Sequence, residues 1–235
     1  MLPVAADQFK NIEIECDIFE KPDRLLVYGG SYSGKTHMVV NLVVKHCKKF
    51  KKIILCGAKN ALLVHKDTKD KTIFYDNEDS PIYDPFREEE EDSCNNNNDK
   101  RQTLIILDDL MTEVYNSQIV SKIFSKGRHL NLSCIVILQS FFPQGASKSL
   151  VPMLKNNSSI QIFFKLRNRG EMGLIAKKFE HGKKSQEFFN LLVEREIYQK
   201  RFGYLAVFMD DPNAKYRNNL ASEDGLNFET VFFMK

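Results

Sequence analysis

The stretch LLVYGGSYSGKTHMVVNLVVK, residues 25 to 45, joins two kinds of predicted structure through a glycine-containing hinge. Leu25, Leu26 and Val27 predict a buried strand, and the apolar residues after Thr36 recur at the spacing of a helix. The hinge fits the pattern G-x-x-x-x-G-K-T, which is specific for a phosphate-binding loop when it lies between a strand and a helix. The stretch therefore predicts a nucleotide-binding domain.

Each residue type in this loop has a chemical reason to be there. Gly29 and Gly34 permit crowded or left-handed backbone, so that successive N–H groups curl around an anion at a helix N-terminus. Lys35 supplies positive charge to the β- and γ-phosphates, and the Thr36 hydroxyl can join the coordination shell of Mg²⁺ carried by the nucleotide. We predict that ATP and Mg²⁺ bind here. The predicted ATP-binding residues are Gly29, Gly30, Ser31, Tyr32, Ser33, Gly34, Lys35 and Thr36.

The composition favours one domain in a reducing compartment. A chain of 235 residues can bury a sizeable core, and its five cysteines are scattered without C-x-x-C spacing. No segment has the form of a signal peptide, and no apolar run approaches the roughly 18 residues of a membrane span. We expect a protein that is neither secreted nor in a membrane. The net charge of +3 is too small to indicate nucleic-acid binding by itself.

Apolar runs alternate with helical patterns along the rest of the chain, which predicts an α/β fold with a mainly parallel central sheet and helices on both faces. The runs predicted as further strands are KKIILCG (51–57), TLIILDDLM (103–111), LSCIVILQSF (132–141) and SIQIFFKL (159–166). An amphipathic helical region at 171–200 precedes GYLAVFMD and ETVFFMK, predicted as late C-terminal strands or a hairpin. The alternating segment FKNIEIECDIF (9–19) predicts an edge strand. We treat residues 1–235 as a single domain.

One region differs in composition from the rest. Residues 76–102 contain REEEEDSCNNNNDKRQ, a charge run followed by four asparagines with almost nothing apolar. Such a segment predicts a flexible, solvated insertion, with an acidic protein-docking loop as the alternative.

Hydrolysis also requires a magnesium ligand and a group that acts on water. Asp108 and Asp109 end a predicted strand, as in a Walker B motif, and we predict that Asp108 holds the metal with Thr36 and that Asp109 faces the attacking water. The alternative role for the pair is a helix N-cap. Gln139, at the end of the next strand, is predicted to sense the γ-phosphate or orient water, and capping the strand is its alternative. The separation of Thr36 and Asp108, about 70 residues, suits ring ATPases better than small kinases.

An arginine supplied by a neighbouring subunit is one standard source of positive charge in this chemistry. Arg128, in the turn SKGRHLN before the strand predicted at 132–141, is our candidate for this trans-acting finger. Arg167, Arg169 and Arg217 are its rivals, and a solvated side chain is the alternative for Arg128.

Several stretches together resemble the DNA-packaging ATPases of double-jelly-roll viruses and of Polinton/Maverick or adintovirus-type elements, in the FtsK/HerA branch of RecA-like P-loop ATPases. The stretches that carry the resemblance are VYGGSYSGKTHMVVNLV, LIILDDLM, FSKGRHLNLSCIVILQSFFPQG, FFKLRNRGEMGLIAKKF and GYLAVFMDDPNAKYRNN. The resemblance runs from about residue 10 to the end. It implies that Asp108 is the metal residue, Asp109 the catalytic acid and Gln139 a sensor. Many superfamily members carry glutamate where Asp109 stands.

The resemblance further implies a homo-oligomeric ring, a hexamer or pentamer, that drives double-stranded DNA into a preformed capsid. It implies a capsid vertex protein as partner, and an infected host cell or the virion vertex as location. Basic residues would then line a pore and follow DNA phosphates without reading sequence. The candidates are Lys165, Arg167, Arg169, Lys183 and Lys184, with segment 45–52 a weaker one. Ordinary solvated helix ends are the alternative.

Three other functions remain open from the sequence. A cellular DNA translocase or helicase of the same superfamily differs from a packaging motor only through the resemblance. A P-loop kinase would transfer phosphate to an acceptor, but Asp109 and the long spacing disfavour it. A GTPase-like switch is disfavoured because the chain has no N-K-x-D motif.

Overall fold

The computed structural model describes residues 9–15, 17–57, 65–75, 81–86, 101–142, 150–212, 215–218, 220 and 228–234. Ten strands lie in this part of the chain: β1 Phe9–Glu15, β2 Arg24–Tyr28, β3 Phe50–Gly57, β4 Thr72–Tyr75, β5 Gln102–Asp108, β6 Leu132–Leu138, β7 Ile160–Phe164, β8 Tyr204–Phe208, β9 Tyr216–Asn218 and β10 Phe228–Met234. They form one sheet in the order β1-β10-β9-β8-β7-β2-β6-β5-β3-β4.

The six strands from β7 to β4 in this order run parallel, and the other four extend the sheet in antiparallel fashion. Strands β5, β6 and β7 are buried at every position, as expected for strands covered on both faces. The parallel strands end together along one side of the sheet, which we call the carboxyl edge, and begin along the opposite amino edge. Ligands of open α/β sheets bind at the carboxyl edge.

Helices cover both faces of the sheet. Six α-helices are described: α1 Lys35–Lys45, α2 Met111–Asn116, α3 Gln118–Lys126, α4 Leu150–Asn157, α5 Arg169–Phe179 and α6 Lys183–Val193. Successive side chains of a strand point to opposite faces, so Leu25 and Val27 pack with α1 while Leu26 and Tyr28 pack with the core under α3, α5 and α6. The predicted fold class is confirmed by this arrangement.

Several predicted elements differ in detail. The helical region at 171–200 is two helices, α5 and α6, followed by a wide helical turn at Glu194–Tyr198, because the chain breaks at 180–182. The residues after the two aspartates form two helices, α2 and α3, which are divided at Ser117; its hydroxyl accepts a hydrogen bond from the Val120 N–H and caps α3. There are three late strands and not two, because the short strand β9 lies between the two predicted strands.

The predicted insertion is only partly described. Residues 76–80 and 87–100 lie outside the described residues, and so does 16 within the predicted edge segment. Within 81–86, Ile82 is buried in the core and Tyr83 and Phe86 pack against it, so these six residues are not the solvated chain that the composition predicts. Gln102 also belongs to β5 and is buried. Of the helices described, none combines the length and apolar character needed to cross a bilayer.

Candidate functional site

The glycine-containing loop connects β2 to α1 at the carboxyl edge of the sheet. A Cβ atom on Gly29 would lie 2.6 Å from the Cβ of Phe164, so close packing requires glycine there. Gly34 precedes the first residue of α1 with a φ of 98°, a left-handed conformation that favours glycine. The two glycines therefore give the loop the crowded and left-handed backbone that the sequence predicts, and the helix N-terminus follows directly.

The polar side chains of the loop point to an anionic ligand. Lys35 is largely buried, its Nζ donates to the Gly30 carbonyl oxygen at 2.8 Å, and burial lowers its pKa despite the nearby carboxylates of Asp108 and Asp109. The Ser33 hydroxyl is buried and makes no hydrogen bond among the described residues. Phosphate oxygens could accept hydrogen bonds from the Ser33 hydroxyl and from Lys35 Nζ. Ser31 and Tyr32 are exposed at the tip of the loop.

Thr36 and Asp108 meet as a metal site of this kind requires. The Thr36 hydroxyl donates to Asp108 Oδ2 at 3.2 Å, although 72 residues separate the two in sequence. Asp108 is only 6% exposed, and burial raises the pKa of its carboxyl group, which the hydrogen bond from Thr36 partly offsets. A hydroxyl and a buried carboxylate are hard oxygen ligands, so this pair fits Mg²⁺ bound together with nucleotide phosphates.

Asp109 and Gln139 form a second pair at the same edge. Gln139 follows β6, and its Nε2 donates to Asp109 Oδ1 at 3.0 Å. Both side chains are exposed, so water can reach them. Asp109 itself has a φ of 61°, which turns the chain sharply after β5. The structure thus brings Asp109 and Gln139 together next to Asp108.

Left-handed residues concentrate at this edge. Among the described residues seven have positive φ, and five of them lie at the carboxyl edge: Tyr32, Gly34, Gly57, Asp109 and Phe202. Strained backbone of this kind is retained where the surrounding structure fixes it, commonly at ligand sites. The distribution therefore supports the same location for the functional site.

Sequence reasoning missed the role of Gly57, the last residue of β3. It pairs in register with Asp108 on β5, and a Cβ atom there would lie 1.9 Å from the Asp108 carbonyl oxygen. Its φ is 96°. Gly57 therefore lets β3 approach the aspartate pair, and the glycine that ends the apolar run KKIILCG was the available signal.

The arginines proposed for the trans-acting role lie in different places. Arg128 is exposed just before β6, at the amino edge, where its charge adds to burial in lowering the pKa of Arg24 at the start of β2. The seven residues of β6 separate it from Gln139, roughly 23 Å along a strand. Arg217 is 1% exposed, donates to Asp17 and Asp211, and lies over the Phe208 ring. Arg217 is therefore a core residue, whereas an arginine that acts on a neighbouring subunit must be accessible.

The basic residues proposed for DNA contact have different surroundings. Lys165 and Arg167 adjoin the phosphate loop, because Gly30 N–H donates to the Lys165 carbonyl at 3.0 Å and the Arg167 side chain packs beside Gly30. Arg169 pairs with Glu194 and stacks on Tyr198. Lys183 and Lys184 begin α6 and are exposed. In segment 45–52, Lys49 donates to the Ile18 carbonyl, so part of that segment serves the fold.

Comparison with a protein family reaches the same residues. Residues 14–161 match the family model described as Poxvirus A32 protein. The match includes the phosphate loop, both aspartates, Arg128 and Gln139, and it ends before the basic segment at 165–184. No curated protein matches the sequence.

Solved structures share the fold at low sequence identity. The genome packaging NTPase B204 from Sulfolobus turreted icosahedral virus 2, in complex with ATP-gammaS, is 17% identical with a TM-score of 0.52, over 83% of this chain and 96% of that one. The DNA-packaging ATPase B204 from Sulfolobus turreted icosahedral virus is also 17% identical, with a TM-score of 0.51 over 81% and 94%. The pCW3 conjugation coupling protein TcpA, with ATPgS, gives a TM-score of 0.53 at 11% identity over 98% and 66%.

Proposed function

Because the chain belongs to the poxvirus A32 protein family, we propose that it is an ATP-hydrolysing ring motor that moves double-stranded viral DNA into a preformed capsid. The sequence-based resemblance to viral packaging ATPases is confirmed by the family match. The ATPase activity is supported by the family and by the phosphate-binding loop together. The ring, the DNA substrate and the capsid are the finer parts of the proposal.

One observation carries the proposal. The loop with Lys35, the Thr36–Asp108 pair and the Asp109–Gln139 pair come from three separate segments of the chain and meet at one edge of the sheet. This is the set of parts that phosphoryl transfer to water requires: a phosphate cradle, a metal position and a group for the nucleophile.

These residues act as follows. Loop N–H groups and the α1 N-terminus bind the phosphates, and Lys35 exchanges its bond to the Gly30 carbonyl for phosphate oxygens. Thr36 and Asp108 would hold Mg²⁺, which when bound neutralises charge on the phosphate oxygens. Asp109, held by Gln139, accepts a proton from the attacking water. The water oxygen then bonds to the γ-phosphorus, the bond to the bridging oxygen breaks, and ADP and phosphate leave.

The place of Arg128 determines whose site it can serve. Because it lies at the amino edge, it cannot reach a γ-phosphate bound at the carboxyl edge of its own chain. In a ring with one subunit's carboxyl edge against the next subunit's amino edge, Arg128 would enter the neighbour's site. We propose this trans-acting role for Arg128, which makes hydrolysis depend on assembly.

The remaining partners follow from the motor role. Double-stranded DNA would be held through its phosphates by the exposed basic residues Lys183 and Lys184 with Lys165 and Arg167, giving binding that weakens steeply with salt. A capsid vertex protein would anchor the ring. The protein would act at the assembly site of an infected host cell and at the virion vertex.

The test measures Mg²⁺-dependent ATP hydrolysis with and without linear double-stranded DNA, across protein concentrations that span ring assembly. Asp109→Asn and Arg128→Ala should each abolish DNA-stimulated hydrolysis, whereas Lys126→Ala, a matched exposed cation near the amino edge, should not. A mixture of the two inactive variants should regain part of the activity, because one subunit's Arg128 then completes another's intact Asp109 site. Activity that is independent of concentration, DNA and Arg128 would refute the ring motor.

A DNA translocase outside virus assembly is the second candidate, because the conjugation coupling protein shares the fold across nearly the whole chain. Addition of empty capsids separates the two. A packaging motor should protect DNA from nuclease only when capsids and ATP are both present, whereas a translocase of the other kind would move DNA without them. Phosphate transfer to a small acceptor in place of water would indicate the kinase alternative.

A further inference from the structure

The phosphate loop opens into a cavity of about 620 Å³ whose other wall is aromatic. Its lining includes residues 32–38 of the loop and of α1 and three aromatic side chains, Phe164, Phe202 and Tyr204. The volume is in the range of pockets that hold small ligands, and a triphosphate alone would leave the aromatic end unfilled. None of these aromatic residues belongs to the motifs that predict phosphate binding.

Phe202 is held in the cavity by the backbone on either side of it. It is 56% exposed, and its φ is 58°, a left-handed conformation that is uncommon for a bulky residue. Its ring lies against Gly34, where a Cβ atom would approach the Phe202 side chain to 3.2 Å. A Cβ atom on the next residue, Gly203, would lie 2.0 Å from the Glu196 carbonyl oxygen. The turn between Tyr198 and Tyr204 is therefore fixed, and it presents Phe202 next to the start of α1.

An exposed aromatic ring in a strained turn requires an explanation. The residues that flank the turn are in the core, since Ile197 and Leu205 are buried. Phe164 and Tyr204 lie behind the cavity with ring centroids 5.2 Å apart, so the aromatic wall is continuous. The wall and the phosphate loop line one cavity, and the molecule that has both a polyphosphate and a flat aromatic group is a nucleotide.

We infer that Phe202 stacks on the purine base of the nucleotide whose phosphates the loop holds, with Tyr204 and Phe164 as the wall behind it. This inference depends on the proposed function for the phosphates alone, and it adds the site for the base. Phe202 lies beyond the residues that match the family model, so the base site comes from the C-terminal part of the chain. Stacking on an aromatic ring strengthens the binding of a base by about 5- to 160-fold.

The absence of tryptophan from the chain permits a direct optical test. Phe202→Trp introduces a single reporter at the proposed base site, and Ile73→Trp, a half-exposed position on β4 at the far end of the sheet, is the matched control. Mg-ATP should quench the fluorescence of Phe202→Trp and leave that of Ile73→Trp unchanged. Inorganic tripolyphosphate, which carries the phosphates without a base, should quench neither.

Calorimetry then measures the contribution of the ring to binding. Phe202→Ala should weaken Mg-ATP binding by about 5- to 160-fold and leave tripolyphosphate binding unchanged. Phe202→Gly should weaken Mg-ATP binding in the same way. Glycine readily adopts the left-handed φ of this position, so this variant is expected to fold. If both variants bind ATP as the wild type does, the base site is wrong. If the wild type binds neither ligand, or if Lys35→Ala weakens neither, the phosphate-site proposal fails instead.

Discussion

Replacing Gly57 by alanine should damage the candidate site from a strand that carries none of its predicted residues. Gly57 ends β3 opposite Asp108, with a φ of 96°. A Cβ atom there would lie 1.9 Å from the Asp108 carbonyl oxygen, and real Cβ atoms almost never come within 3.0 Å of such an atom. The ends of β3 and β5 must therefore separate by the difference, about 1.1 Å.

Two costs follow from this substitution. Holding alanine in a left-handed conformation costs about 1–2 kcal/mol, and forcing extra volume into a packed position costs about 1–3 kcal/mol. We expect Gly57→Ala to lower the free energy of unfolding by about 2–5 kcal/mol. Because Asp108 and Asp109 move with the strand end, a shift near 1 Å should also reduce hydrolysis by about 100-fold.

Urea unfolding without nucleotide measures the first effect, and steady-state hydrolysis at saturating Mg-ATP measures the second, at a temperature where the variant is folded. Gly173→Ala is the matched control, because nothing lies within 4 Å of the Cβ atom that it adds on α5. It should raise stability by about 0.5–1 kcal/mol and leave hydrolysis unchanged. Tripolyphosphate binding should survive in both variants, since the loop is untouched. Wild-type stability and hydrolysis in Gly57→Ala would refute this account of β3.

Three further predictions concern buried charged or titratable groups. Asp108→Asn should abolish Mg²⁺-dependent hydrolysis yet raise the free energy of unfolding without ligand by up to about 1 kcal/mol. Burial raises the pKa of this carboxyl group, and a neutral amide avoids the cost of burying a charge. Urea unfolding without ligand measures the change in stability, and a hydrolysis assay with Mg-ATP measures the loss of activity. Burial lowers the pKa of His46 to about 4, so between pH 6.5 and pH 4 the unfolded chain binds a proton that the folded chain does not, and stability should fall by about 3 kcal/mol as pH falls through that window; urea unfolding across this range should show a flatter slope in His46→Leu. Burial, with Lys178 nearby and against the pull of Glu171, lowers the pKa of Lys155 to about 7, so stability should rise by about 2–3 kcal/mol from pH 7 to pH 9; Lys155→Met should lose that rise in the same assay, and an equal rise would refute the assignment.

Local sequence pattern predicted the elements whose residues are close in sequence or regular in period. The β2–loop–α1 unit carries its own signal, because the glycine spacing and the change from apolar run to helical period lie within 21 residues. The same is true of β3, β5, β6 and β7, each of which is a mainly apolar run. The pairing of Thr36 with Asp108 could be anticipated because both follow parallel strands, whose carboxyl ends share one edge.

Features that depend on distant neighbours could not be predicted this way. The three-residue strand β9 is too short to show a period, and burial of Arg217 depends on Asp17 and Asp211, which other segments supply. Gly57 could be recognised as a strand end but not as the neighbour of Asp108, because the register between β3 and β5 is a tertiary property. Phe202 gave no signal because its exposure is visible only in the fold.

The polarity of the sheet constrains how subunits could share a site. Each subunit would have Lys35, Asp108, Asp109 and Gln139 at its carboxyl edge and Arg128 at its amino edge. An end-to-end interface related by a two-fold axis would place two carboxyl edges together, bring two nucleotide sites together and leave both without Arg128. A head-to-tail interface pairs unlike edges, places one Arg128 at each nucleotide site, and closes into a ring when the rotation allows. A trans-acting role for Arg128 therefore requires an interface that brings unlike edges together, and recovery of activity on mixing Asp109→Asn with Arg128→Ala would be evidence for such an interface as well as for the residue.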